Sequence, residues 1–189
     1  MSASLLWQIL FLGWCFSEIF IALALRTRHG SGNVRDRGTQ LLLWIVIFLA
    51  ITACDWISGT HAATMFGGAH WLKICSIVVL VLGLAIRWTA ILSLGKSFSA
   101  NVAIQPSQTI YRKGLYRWVR HPSYLGMLVI FLAIGIHSRN WISLFVVLIP
   151  TTVALLYRIH IEEIALNHAF GDAYAFYSKT TCRLLPFVY

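Results

Sequence analysis

Residues 112–136 read RKGLYRWVRHPSYLGMLVIFLAIGI. The cations Arg112, Lys113, Arg117 and Arg120, the aromatics Tyr116, Trp118 and Tyr124, and a His121–Pro122 pair run straight into an uncharged apolar stretch. Such a mixture belongs at a membrane–water boundary, where aromatic and basic side chains anchor while the apolar run enters hydrocarbon. Pro122 suits the first position of a helix, because its missing N–H would lack a partner there anyway and its φ is already helical. The amides of Ser123 and Tyr124 would then be open donors at a positive helix end, which favours an anionic group.

The chain as a whole has the same solvent. Of its 189 residues 59% are hydrophobic and 11% charged, and its mean hydropathy is +0.76, whereas a soluble domain is about a quarter charged. Crossing a hydrocarbon core of about 30 Å takes roughly 20 apolar residues, and three runs qualify: Leu5 to Leu25, Leu41 to Ile57 and Trp71 to Leu94. Two shorter runs, Tyr124 to Ile136 and Trp141 to Tyr157, are separated by HSRN and read as a helical hairpin whose first arm is short for a full span. The first run has no preceding cation, exceeds the length of a signal h-region and lacks an A-x-A site, so it reads as a retained helix. The expected fold is an all-α integral membrane protein with about five transmembrane helices, the last two a short helical hairpin. Residues 1–189 read as a single membrane domain, with the first two helices in 1–70 and the core in 71–189.

Arg26, Arg28, Arg35 and Arg37 follow the first run and Lys96, Arg112, Lys113, Arg117 and Arg120 the third, while the loop after the second, SGTHAATMFGGAH, has no cation. The positive-inside rule then places the N-terminus outside and the C-terminus in the cytoplasm. The formal net charge of +9 is explained by this topology and by attraction to anionic lipids, with no free basic domain that would suit nucleic acid. Cys15, Cys54, Cys75 and Cys182 form no CxxC pair and read as small hydrophobes. His61 and His70 lack further ligands at regular spacing, so no metal site is expected.

Charges within apolar runs are costly, about 2.5 to 3.5 kcal/mol at a helix centre even on insertion scales. Asp55 and Lys73 lie near an interface, where snorkelling suffices. Glu18 and Arg87 are deeper, and Arg87 is expected either to pair with Glu18 or a carbonyl, or to serve a site. The segment from Gly95 to Arg120 is too polar to cross, and Pro106 and Gly114 predict extended chain and turns over the mouth of the third to fifth helices. Beyond the hairpin, Ile161, Ile164, Ala165, Ala169, Ala173, Phe176 and Tyr177 recur at helical spacing, predicting an amphipathic helix on the membrane face with a possible break at Gly171. Because the hairpin goes out and back, His121 should meet Arg158, Glu162 and Glu163 at one depth. A polar pocket over a lipid-facing hairpin results.

These residues carry a resemblance. GLYRWVRHPSYLG, then a hairpin, then the Glu162–Glu163 pair, then FGDAYAFYSKTTCRLLP, resembles the isoprenylcysteine carboxyl methyltransferase and phospholipid methyltransferase superfamily of integral membrane enzymes, from about Arg87 onward. One departure is GLY at 114–116, where many members have Gly-Pro-Tyr. The resemblance implies a cytoplasmic-face pocket for S-adenosyl-L-methionine without a Rossmann sheet. It assigns cofactor contacts to Gln105, Gln108, Thr109, Ile110 and Tyr111, to Tyr116, to His121, Pro122, Ser123 and Tyr124, and to Glu162. Arg158, one helical turn before Glu162, matches the arginine assigned to the substrate. Catalysis would fall to Arg158 and Glu162.

Such an enzyme would draw a lipophilic or prenylated acceptor from the membrane lipids. A carboxylate acceptor is already nucleophilic at neutral pH, so alignment and water exclusion would suffice; an amine, as in phospholipid N-methylation, would need a base such as His121 or Glu163. Two other classes remain open at this point. Membrane sterol reductases share an RHPxY-like region and use NADPH, although their C-terminal pattern differs from YAFYSKTTCRLLP. A non-enzymatic membrane subunit would leave the pocket without a ligand.

Overall fold

The computed structural model describes residues 2–24, 33–34, 38–59, 63–65, 69–95, 103–104 and 109–184. Six α-helices organise them: α1 (Ala3–Ala24), α2 (Thr39–Ser58), α3 (Trp71–Leu94), α4 (Pro122–His137), α5 (Trp141–Phe170) and α6 (Asp172–Thr180). A 3-10 turn, Gly114–Arg117, precedes α4. Two short backbone segments, Asn33–Val34 and Ala103–Ile104, pair antiparallel and join the connection after α1 to the connection after α3. The expected first three helices and the first hairpin arm are present, within a few residues at their ends, and the second arm begins at Trp141 as expected but runs on well past Tyr157.

Four helices, α1, α2, α3 and α5, are long and apolar enough to cross a membrane. The remaining expected span, the first hairpin arm α4, has 16 residues, or about 24 Å at 1.5 Å per residue, less than a full hydrocarbon core. Burial follows one stripe on each of the first three helices: Trp7, Trp14, Glu18 and Ile21 on α1, Leu43, Ile47, Ala50 and Cys54 on α2, Leu80, Gly83, Arg87 and Ala90 on α3. Their opposite faces expose Phe16, Phe48, Leu82 and Leu92 among many other large apolar side chains. Water would penalise so much exposed hydrocarbon, and lipid does not.

The inner pair is α3 and α4, packed antiparallel at close range. A Cβ on Gly83 would stand 2.9 Å from the Ile130 amide nitrogen, and one on Gly126 would stand 2.7 Å from that of Arg87. Small residues let these backbones approach, which is how helices gain packing energy in lipid. Gly126 is the last residue of the RHPSYLG stretch, so its place in that motif is explained by the backbone of α3. Helix α1 docks on α3 in parallel: Glu18 reaches Arg87 near one end, and Trp7 stacks on His137, which meets Ser76, near the other. Helix α2 packs on α5, with Ser143 Oγ donating to the Cys54 carbonyl at 3.0 Å.

One expectation is corrected. The amphipathic segment after the hairpin is not one helix of its own: residues 161–170 continue α5, which runs unbroken for 30 residues through Phe170, and only Ala173, Phe176 and Tyr177 lie in the separate helix α6. No Gly or Pro interrupts residues 151–170, so nothing stops the helix at the polar boundary. At about 45 Å it exceeds a 30 Å core by about ten residues, which carries Glu162 and Glu163 beyond the apolar layer on a rigid extension. The break falls at Gly171, whose φ of +49° suits a residue without a Cβ, and α6 then folds back.

Candidate active site

The site is built at the end of the bundle where α4 begins and α5 emerges. The 3-10 turn leads into Trp118–Arg120, and the segment after α6 pairs with it along the backbone. The Cys182 amide donates to the Trp118 carbonyl at 3.0 Å, the Arg120 amide to the Cys182 carbonyl at 2.8 Å, and the His121 amide to the Arg183 carbonyl at 3.2 Å. This strap fixes His121 before the helix starts. The Tyr124 amide is not the open donor expected from sequence, since it closes on the His121 carbonyl at 3.1 Å, a tight bond common at helix ends.

The two neighbouring glutamates divide the work between them. Glu163 is buried and gathers cations and donors: Arg120 Nε at 3.0 Å, His121 Nε2 at 3.4 Å, the Tyr174 hydroxyl at 3.4 Å and Arg183 Nε at 2.9 Å. Its partners come from the pre-α4 segment, α6 and the strap, so it holds the roof together. Glu162 points elsewhere, with a side chain 32% exposed and His121 Nδ1 3.9 Å away. Adjacent positions on a helix lie about 100° apart, and this rotation separates an inward acid from a half-buried one beside Tyr124.

Beside Glu162 runs a short chain of polar contacts. The Tyr124 hydroxyl donates to Glu162 Oε2 at 2.9 Å and accepts from Arg158 Nε at 2.9 Å, while Arg158 Nη1 donates to Thr39 Oγ1 at 3.0 Å. Arg158 is 3% exposed, so a permanently charged guanidinium sits between α2, α4 and α5 in fixed orientation. Thr39, the first residue of α2, carries no motif and was not expected at the site. Its signal in sequence would have been a lone hydroxyl at a helix start, which is ordinary.

A second buried polar group lies next to the start of α4. Arg87 donates through Nε and Nη2 to the two carboxylate oxygens of Glu18 and through Nη1 to Ser123 Oγ at 2.9 Å. The Glu18 pairing is one of the arrangements expected from sequence; the bond to Ser123 joins it to a predicted site residue. Tyr116 is buried with its hydroxyl on the Ala90 carbonyl at 3.3 Å, and Tyr177 donates to the Tyr116 carbonyl at 2.6 Å. Burial, and then the Glu162 charge, push the Tyr116 phenol well above its ordinary pKa, and burial lifts Tyr177 to about 12. Both hydroxyls therefore remain protonated donors at physiological pH.

The sequence-predicted residues Tyr116, His121, Pro122, Ser123, Tyr124, Arg158 and Glu162 thus come together. His121 stacks on Tyr124 with ring centroids 5.8 Å apart, and Tyr111 stands edge-on to Tyr116 at 5.6 Å. Ile110 is half-buried and Thr109 exposed. Gln105 and Gln108 lie outside the described residues.

Helix number, apolar exterior and this end-on polar site define an all-α, multi-pass membrane protein. The family model of the isoprenylcysteine carboxyl methyltransferase (ICMT) family matches residues 76–168, beginning before Arg87 and ending short of FGDAYAFY. Protein-S-isoprenylcysteine O-methyltransferase A of Arabidopsis thaliana is 25% identical over 91% of this chain and 87% of its own length. The enzyme named protein-S-isoprenylcysteine O-methyltransferase in Homo sapiens is 32% identical over 62% of this chain and 42% of its length. A solved structure, the eukaryotic intramembrane Ras methyltransferase ICMT, superposes with a TM-score of 0.66 at 23% identity, covering 95% of this chain and 64% of that one. This chain therefore spans most of the plant relative but less than half of the human one. These matches support a place for the chain in the isoprenylcysteine carboxyl methyltransferase superfamily, and the structural likeness shows the shared fold.

Proposed function

We propose that this chain is an integral membrane methyltransferase that transfers a methyl group from S-adenosyl-L-methionine to the carboxylate of a lipophilic acceptor of the isoprenylcysteine kind. The match to the family model and the names of the relatives support the reaction class. The observation that carries the choice of acceptor is Arg158: a buried guanidinium, aimed by Tyr124 and Thr39, one turn before a half-buried acid. A fixed cation selects an anion, and an arginine can hold a carboxylate without giving up a proton. An amine would meet repulsion there, and Glu163, a base it would need, is committed to Arg120 and His121.

The donor set of the site fits the cofactor. Glu162 would take the ammonium, the strapped first turn of α4 around His121 and Ser123 would lie against the methionine part, and the faces of Tyr116, Tyr124 and Tyr111 suit a sulfonium cation. When bound, that sulfonium supplies an electrophilic methyl group. The protein's own part is to hold the acceptor carboxylate with Arg158, to keep Tyr124 oriented between Arg158 and Glu162, and to exclude water beneath the roof that Glu163 pins. A carboxylate needs no general base, so no proton need leave the site.

The acceptor's apolar part would remain in lipid and its carboxylate would enter sideways, while the cofactor would come from the cytoplasm, with the N-terminus outside. Calorimetric titration of the protein in nanodiscs with S-adenosylhomocysteine, with NADPH as the parallel ligand, tests the site. Saturable binding of the first alone is expected, and binding of NADPH alone would move the chain to reductase chemistry. Radiolabelled methyl transfer to a prenylated cysteine, compared with its carboxamide, tests the acceptor. Transfer to the acid and none to the amide is expected, and equal labelling of both would refute the carboxylate assignment.

A further inference from the structure

We propose that Glu18 is a positioning residue: acting through Arg87 and Ser123, it sets the first turn of α4, which makes α1 part of the active-site scaffold. The inference rests on the methyltransferase reading above.

Glu18 is 1% exposed, and both its oxygens are engaged. Arg87 Nε and Nη2 grip them as a two-pronged fork, and Trp14 Nε1 adds a donor to Oε1 at 3.1 Å. The outer nitrogen of the same guanidinium, Nη1, reaches the Ser123 hydroxyl at 2.9 Å and the Ser123 carbonyl at 3.3 Å. One planar, rigid group thus spans from α1 to the start of α4. Its base is fixed as well, because the Arg87 backbone lies against Gly126, where even a Cβ would stand 2.7 Å from the amide nitrogen. With the root of the side chain held by backbone packing and its fork held by Glu18, Nη1 has little freedom in where it meets Ser123.

Anchoring α1 does not require this arrangement. Trp7 stacks on His137 with centroids 3.8 Å apart, and Trp14 packs edge-on against Phe131 at 6.0 Å, so aromatic contacts already dock the helix on α4. Taking a carboxylate and a guanidinium out of water carries a large desolvation cost for each ion, and apolar replacements of such pairs are often neutral or stabilising. A pair that adds little to docking but grips a site residue is better understood as a device for geometry. Glu18 also lies outside residues 76–168, the part that matches the family, so the fork ties a helix from beyond that match into the site.

The experiment compares wild type with Glu18→Leu/Arg87→Met and with Glu18→Gln, each in nanodiscs. The readouts are S-adenosylhomocysteine affinity well below the melting temperature, kcat and KM, and the thermal midpoint. The double variant is expected to melt near wild type yet bind about ten-fold more weakly, the scale of one lost charged hydrogen bond, with kcat reduced as well. Glu18→Gln keeps an acceptor for Arg87 and should move affinity in the same direction by a smaller factor. Folded variants with wild-type affinity and kcat would overturn the proposal, as would a Glu18→Gln protein that loses thermal stability alone. If the double variant does not fold, Glu18→Gln decides. Wild type that binds no S-adenosylhomocysteine would instead sink the methyltransferase reading, so the two failures are distinguishable.

Discussion

Glu162 and Glu163 are chemically identical neighbours with opposite expected phenotypes. Glu163→Gln removes the charge that Arg120, His121 and Arg183 converge on, and breaking a buried pair of this kind costs about 3–5 kcal/mol. Its thermal midpoint should fall by many degrees. Glu162→Gln leaves that roof intact, so its midpoint should stay near wild type while S-adenosylhomocysteine affinity drops at least ten-fold; the reverse pattern in thermal melts and titrations would exchange the two roles. Thr39→Val tests the quieter residue, since losing one hydrogen bond to Arg158 is worth about 1 kcal/mol. The KM for a prenylated acceptor should rise about five-fold with the cofactor affinity unchanged. The acidic pair was legible in the sequence, as were His121 and Arg158, because their residue types and motif spacing point to chemistry. The division of labour within the pair was not legible, since it depends on how α6 and the strap close over one side of α5. Thr39 was silent because nothing local distinguishes it from any other hydroxyl at a helix start.

Helix α4 owes its place against α3 to one glycine on each helix, Gly126 on α4 and Gly83 on α3. In Gly126→Ala the added methyl would press on the Arg87 backbone, with 2.7 Å to its nitrogen and 2.9 Å to its Cα. Backbone cannot swing aside as a side chain can, so the helices must separate, and overpacking of this sort typically costs 1–3 kcal/mol. The expected result is a lower thermal midpoint together with weaker S-adenosylhomocysteine binding, because the shift is delivered where Arg87 meets Ser123. Gly13→Ala on α1, where a Cβ meets nothing within 4 Å, should leave both quantities unchanged and serves as the control. Most helices could be read from apolar run length alone, and α3 coincides with its predicted run from Trp71 to Leu94. The failure concerned α5. Hydropathy reports where the solvent changes, and at Glu162 it changes without any residue that would end a helix, so a drop in apolarity was mistaken for a boundary between elements. Its continuity matters for the site, since a stiff extension holds Arg158 and Glu162 in one register.

Across the whole molecule, charge is sorted by end, and this carries the last prediction. Among the described residues, Arg112, Lys113, Arg117, Arg120, Lys179 and Arg183 cluster at the end where α4 begins, whereas Lys73 and Arg139 lie near the opposite end, beside α3's start and the α4–α5 turn. Some of these cations have internal duties: Arg120 serves Glu163, and Arg112 lies over the Tyr177 ring at 5.5 Å and donates to the Ala173 carbonyl. Lys113, Arg117 and Lys179 are exposed, and Arg117 stacks on the exposed Trp118 at 5.4 Å, a pairing suited to the headgroup layer. Basic residues that flank apolar spans are retained on the cytoplasmic side, and anionic lipids there attract them at about 1 kcal/mol each. The end bearing the proposed site should therefore face the cytoplasm. In a background with Cys15, Cys54, Cys75 and Cys182 replaced by alanine, Lys179→Cys should resist a membrane-impermeant maleimide in intact cells and react after permeabilisation. Ser2→Cys, exposed at the start of α1, should react in intact cells. Labelling of Lys179→Cys from outside would invert the topology and put the site on the wrong face for a cytoplasmic cofactor.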